Sequence, residues 1–164
     1  ALGDVNGDGY GDYAYGIERD DLNGTDAGMV RVCAGGPFTP AAVLDLGPGC
    51  GGSVLMSGLP LLGELLTLRL RGGGAATSGF LVAGLPLASP LTAGGLCNIH
   101  VDPTAIGLAL PLITDALGLW TGYVPIPWTP SAAGLALAAQ AVLLPSAAPP
   151  GLAFSNGLLF TLGF

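Results

Sequence analysis

Charge is the scarcest property of this chain. Asp, Glu, Lys and Arg make up 9% of its 164 residues, against roughly 25% in an average soluble domain. Lysine is absent, the basic residues are Arg19, Arg31, Arg69 and Arg71, and from Ala116 to Phe164 no side chain carries a formal charge. A net charge of −7 argues against a nucleic-acid partner, because there is no basic patch to meet phosphates. A surface this poor in charge is expected to be covered by copies of itself, by a neighbouring domain or by a membrane.

Long apolar runs are lacking too, which makes the membrane the weakest of those three. A spanning helix needs about 20 apolar residues in succession. The best stretch, "AAGLALAAQAVLLP" at 132–145, is shorter, holds Gln140 and ends in proline. The apolar segments are cut by 29 glycines and 14 prolines, a pattern of short strands and turns. No charged segment leading into an apolar one opens the chain, so any signal peptide is expected to have been removed already.

Enzyme signatures are also missing. There is no G-x-S-x-G elbow and no H-E-x-x-H pair. Glu18 and Glu64 are the only glutamates and fall in different parts of the chain, leaving a glycosidase carboxylate pair unsupported. His100, the only histidine, sits in "CNIHVDP" on the same strand face as Asp102. A lone histidine beside a turn is read as structural rather than as one half of an acid–base pair. "RGGGAATSG" at 71–79 is glycine-rich but has no phosphate-binding lysine, and reads as a mobile turn. The expectation is that this is not an enzyme.

Three cysteines, Cys33, Cys50 and Cys97, do not make an even disulfide framework. Cys50 and Cys97 both sit in glycine-flanked turn-to-strand positions. A bridge between them would close a long loop, worth about 4 kcal/mol by chain entropy; three buried thiols are the alternative. Cys33, in "VRVCAGG", reads as a buried strand residue or an intermolecular partner.

What the chain does have is β-forming sequence. Strands are expected at 12–17, 28–34, 41–46, 64–71, 79–84, 95–101, 119–126, 134–144, 151–154 and 158–163, at a spacing that suits an antiparallel sandwich or jelly-roll. Residues 66–71 alternate cleanly and should have one wet face. "TPSAAGLALAAQAVLL" has helical propensity, but Leu135, Leu137, Ala139, Ala141 and Leu143 fall on one strand face between Pro130 and Pro145. Asn156-Gly157 reads as a turn before a terminal strand. Acid concentrates in residues 1–36 and the aliphatic remainder runs 41–164, with "GGPFTPAA" at 35–42 as the hinge. Trp120, Tyr123 and Trp128 could present a platform for sugar rings, with core or interface packing the favoured reading. Asn23-Gly24-Thr25 is a glycosylation sequon on a polar turn.

The acid itself is ordered. In "GDVNGDGYGDYAYG", residues 3–16, counting Asp4 as position 1 puts Asn6 at 3, Asp8 at 5, Gly9 at 6, Tyr10 at 7 and Asp12 at 9. Hard oxygens at 1, 3 and 5, a glycine at the sharp turn and a carbonyl at 7 suit Ca²⁺ better than the smaller, more firmly hydrated Mg²⁺. A solvated acidic turn is the plainer alternative. An EF-hand would place Glu at position 12, where Tyr15 stands, so that motif fails. D-x-N-x-D-G-x-x-D running into a strand resembles the FG-GAP repeat of integrin-type β-propellers, and "DAGMVRVCAGG" resembles that repeat's next strand. The resemblance implies Ca²⁺ held by the Asp4, Asn6, Asp8 and Asp12 side chains and the Tyr10 carbonyl. It covers residues 1–36, at most a single blade where a propeller needs several, so the blade is expected to dock on the second domain or on another copy.

Residues 47–164, with "GPGCGG", "LPLLGELLTLRLRG", "GGLCNIHVDPT" and "GLAFSNGLLFTLG", resemble a C-terminal module of secreted proteins from planctomycetes and myxobacteria. That resemblance implies a β-sandwich, an extracellular address and a Cys50–Cys97 bridge. Together these readings give an all-β, extracellular or cell-surface structural protein, stabilised by Ca²⁺ and assembling with copies of itself by strand addition. The alternative is a carbohydrate-binding or adhesion module of a larger secreted protein, meeting polysaccharide through its aromatic residues.

Overall fold

The computed structural model describes residues 2–7, 10–18, 28–33, 35, 39–93, 97–144 and 151–164. The chain divides into two compact units, Ala1–Phe38 and Thr39–Phe164.

In the first unit, Tyr13–Ile17 (β1) pairs antiparallel with Met29–Cys33 (β2), Tyr13 opposite Cys33 and Ile17 opposite Met29. Tyr15 and Arg31 share a face with Tyr13 and Cys33, while Val30 and Val32 lie on the other with Ala14 and Gly16. Val30 and Val32 are 71% and 60% exposed. A lone two-stranded ribbon is marginal in water, and this one leaves its β-branched face wet.

The second unit is built from Ala42–Gly47 (β3), Val54–Ser57 (β4), Leu65–Arg71 (β5), Ser78–Ala93 (β6), Cys97–Ile113 (β7), Trp120–Pro125 (β8), Ala136–Leu143 (β9), Ala153–Phe154 (β10) and Gly157–Thr161 (β11). A three-residue turn of 3-10 helix, Pro130–Ala132, precedes β9, and no α-helix occurs among the described residues. All named strand pairs are antiparallel. A six-stranded sheet runs β3-β11-β9-β6-β7, with β10 also paired to β9, and a three-stranded sheet runs β4-β5-β8. Leu55, Leu66, Leu68 and Leu70 of the smaller sheet meet Leu81, Leu112, Ala139, Ala141, Leu143, Leu158 and Phe160 of the larger in one core. This is an all-β sandwich. Each fully buried leucine contributes about 2 kcal/mol.

Period-2 patterning sets this up. Along β5 the even-numbered leucines are buried while Leu65, Arg69 and Arg71 face water, as the alternation of 66–71 predicts. The alanine-rich segment forms a strand, with Ala139, Ala141 and Leu143 on the core face. Its opposite face is buried as well, at Ala138 and Gln140, because the start of β7 packs there. Leu135, expected on the core face, precedes the strand and is exposed.

Other parts of the sequence reading need correction too. Strand 79–84 and the 97–101 part of the strand expected at 95–101 belong to a hairpin far longer than foreseen, residues 95 and 96 lying outside the described residues. Its prolines mislead: Pro86 lies at register shifts of β6, and Pro103 and Pro111 lie in β7, at the sheet edge. Bulges and edges are where a sheet tolerates proline. Strand β4 was not foreseen at all, being four residues beside a glycine cluster. Asn156-Gly157 is no turn: β10 and β11 both run antiparallel along β9, with the register slipping by one residue between them, so this is one strand interrupted by a bulge. Lastly, 71–79 is pinned rather than loose. Thr114 Oγ1 donates to the Gly74 carbonyl at 2.6 Å and accepts the Thr77 N–H at 2.8 Å, and the Gly73 N–H reaches the Gly118 carbonyl at 3.0 Å.

Candidate functional site

The acidic loop is organised around Asp12. Its backbone closes the loop, its N–H donating to the Gly3 carbonyl and its carbonyl accepting the Leu2 N–H, both at 2.7 Å. Its side chain is 1% exposed, and both oxygens are used: Oδ1 accepts the Gly35 N–H and Oδ2 the Val5 N–H, each at 2.6 Å. The Gly35 amide, then that of Val5 and more weakly that of Asn6, hold the carboxyl below the usual carboxylate range, outweighing desolvation. Asp4 Oδ1 accepts the Gly7 N–H at 2.7 Å. Gly3 and Gly7 take φ of +74° and +77°, which a residue with a Cβ adopts only at a cost.

Asp8 and Asn23 lie outside the described residues. Asp4, Asn6, Tyr10 and Asp12 lie within the described stretches 2–7 and 10–18. Their donors are carboxylate, amide and carbonyl oxygens, the hard set Ca²⁺ takes. Asp12, ionised and with a second lone pair on each oxygen, is compatible with a cation beside the loop. Among the described residues no cluster of three or more His, Cys, Asp or Glu side chains is poised around one point.

Elsewhere, Cys50 and Cys97 form a disulfide with Cα atoms 4.8 Å apart. Cys33 is a free thiol, half-buried in β2. Lying against the Tyr13 hydroxyl, it raises that phenol above its ordinary range. His100 is 4% exposed, with its Nε2 buried and unpartnered among the described residues. Asp102 is turned to Thr104 instead, whose hydroxyl and N–H reach Oδ1 at 2.7 and 2.8 Å and hold its carboxyl low. The aromatic residues do not share one face. Trp120 packs over Gly122 against the core, Tyr123 points to solvent from the other face of β8, and Trp128 meets Phe164 edge-on at 5.6 Å.

Sequence reasoning missed a pair of buried amides. Gln140 Oε1 accepts the His100 N–H at 3.0 Å, while Nε2 donates to the carbonyls of Asn98 and Ser155 at 2.9 and 2.7 Å. This side chain pairs with β7 as a strand's own peptide would. Asn156 does the same between sheets, accepting the Leu55 N–H at 2.6 Å and donating to the Leu55 carbonyl and Asp45 Oδ2 at 3.1 and 3.0 Å. A polar residue inside an apolar run was the only signal available, and Gln140 carried it.

Between the sheets lies a cavity of about 310 Å³ whose lining is almost wholly apolar, including Leu66, Ala83, Leu108, Val124, Leu137 and Phe160. It sits by Gly84, where β6 and β7 slip register.

Compared with known protein families, curated proteins and solved structures, the chain has no match.

Proposed function

We propose that this protein is an extracellular structural subunit that assembles with copies of itself into a filament or surface layer, stabilised by Ca²⁺. The observation that carries this reading is the incompletely filled sandwich. Three strands face six, β8 is an edge of the smaller sheet, and the cavity between the sheets is lined by apolar side chains from β5, β6, β7, β8, β9 and β11. An added strand with alternating apolar residues would satisfy both the edge and the cavity. Donor and acceptor surfaces would differ, so the contact propagates unless it closes into a ring.

Two further features support the reading. Phe80, opposite Pro111 and Val142 on the outer face of the larger sheet, is exposed, as are Ile113 and Leu144 beside it. The Cys50–Cys97 bridge suits an oxidising compartment. Ca²⁺ held by Asp4, Asn6, Asp8, the Tyr10 carbonyl and Asp12 would neutralise the crowded carboxylates and fix the loop that β1 continues. What this chain itself supplies is the Asp12 anchor, whose carboxylate joins the Val5 amide to that of Gly35.

Leu108→Asp tests the strand-addition route, because it places a charge in the cavity lining. Assembly followed by light scattering should fall while the circular dichroism spectrum stays β-rich. Assembly at the wild-type rate by the folded variant would remove the cavity from the account.

A further inference from the structure

The outer face of the three-stranded sheet carries a feature that self-assembly does not use. Thr67, Arg69 and Arg71 alternate outward along β5. The register places Tyr123 opposite Thr67, Thr121 and Met56 on either side of Arg69, and Val54 opposite Arg71. Tyr123 is 64% exposed. Beside it a shallow cleft of about 400 Å³ is lined by Met56, Ser57, Gly58, Thr67, Arg69 and Arg71.

These arginines are the only two cations of residues 39–164, where four carboxylates stand against them. Neither guanidinium is in an ion pair or hydrogen bond with the protein among the described residues. Side chains two apart on a strand stand about 7 Å from each other on the same face. Two long guanidinium arms at that spacing can close on one carboxylate, each offering a planar fork of donors.

We propose that this face binds a glycan through an isolated sugar carboxylate, as in a uronic acid. Arg69 and Arg71 grip the carboxylate, Tyr123 packs on the neighbouring ring, and the Thr67 and Thr121 hydroxyls meet sugar hydroxyls. The charge balance favours one carboxylate in an otherwise neutral chain over a dense polyanion. The protein's net −7 repels the latter, while a Debye length of about 8 Å in physiological salt screens the distant carboxylates from a single anionic group. The exposed tyrosine and flanking hydroxyls favour a sugar over an acidic peptide, which would leave the ring without a partner. The inference does not depend on assembly or on calcium.

The test is calorimetric titration of the whole protein with a hyaluronan tetrasaccharide, which alternates uronate with neutral sugar. Cellotetraose and a tetraglutamate peptide serve as comparisons. The expected result is binding of the uronate oligosaccharide alone, weakening several-fold between 50 and 500 mM salt. It should drop at least 10-fold in R69Q/R71Q and about 3-fold or more in Tyr123→Ala. R69K/R71K, which keeps the charge but loses the fork, should sit between wild type and the glutamine variant. Equal binding of cellotetraose would overturn the carboxylate's role, and equal or tighter binding of tetraglutamate would make this an acidic-peptide site instead. No binding of any of the three would sink the proposal. Thermal melting of each variant checks that the exposed-face substitutions leave the sandwich folded.

Discussion

At Gln140 a side-chain amide takes the place of a neighbouring strand. Truncation to leucine would leave the His100 N–H and the Asn98 and Ser155 carbonyls without their partner. A buried polar group left unsatisfied costs about 1–3 kcal/mol. Gln140→Leu should therefore destabilise the sandwich by about 3 kcal/mol or more in denaturant titrations, and a loss below about 1 kcal/mol would mean that the network relaxes around the gap. Gly157 answers to the same cluster: a Cβ there would stand 2.5 Å from the His100 ring, so Gly157→Ala should also destabilise, by about 1–3 kcal/mol. In the first unit the sensitive residue is Asp12. Its carboxyl is held low, first by the Gly35 amide and then by that of Val5, so the folded state binds the proton more weakly than the unfolded chain. Its stabilisation is complete at neutral pH, begins to fade as pH drops to the ordinary carboxylate value of about 4, and is lost below the depressed value. Amide exchange at Val5 and Gly35 should accelerate across that acid window and lose this pH dependence in Asp12→Asn. Protection that stays flat with pH in the wild type would contradict the assignment.

Among the elements, the β6–β7 hairpin does the most to shape the molecule. Past the register shifts at Gly84 and Pro86 it no longer pairs with β9, and the beginning of β7 returns over β9 and β11. The disulfide fastens that return to the segment before β4. Closing a loop with a sequence separation of 47 is worth about 4 kcal/mol on the chain-entropy view. Cys50→Ser with Cys97→Ser should lower the stability of residues 39–164 by up to about that amount, read by thermal melting, and an unchanged melting temperature would show that the strands alone hold the fold. The same hairpin marks the limit of what the sequence revealed. Strand β5 was legible because its leucines and arginines alternate, and β9 because two prolines bounded a one-faced pattern. The hairpin's outer half was not, because Pro86, Pro90 and Pro103 argue against strand unless the bulges and the edge position are already known. Asn156-Gly157 was misread for a related reason: a bulge and a turn use the same residues, and only the partner strand distinguishes them. In the acidic loop the buried anchor was not legible, since the Gly35 amide that meets Asp12 lies 23 residues away.

For the whole molecule, low charge, an exposed β-branched face in the first unit and an unfilled sandwich in the second all leave apolar surface in water. Solvation disfavours that arrangement unless another surface covers it. On the proposed function, further copies of this chain would cover it and calcium would fix the N-terminal loop. Chelation should then loosen residues 2–18 first and slow assembly, while the sandwich's melting transition stays in place; simultaneous melting of both units would show that the loop's role is not local. The most direct test is electron microscopy of the non-reduced protein in calcium buffer, with a parallel sample in chelator. The account predicts ordered polymers with calcium and fewer or shorter ones without it. Dispersed particles of monomer size under both conditions would contradict it.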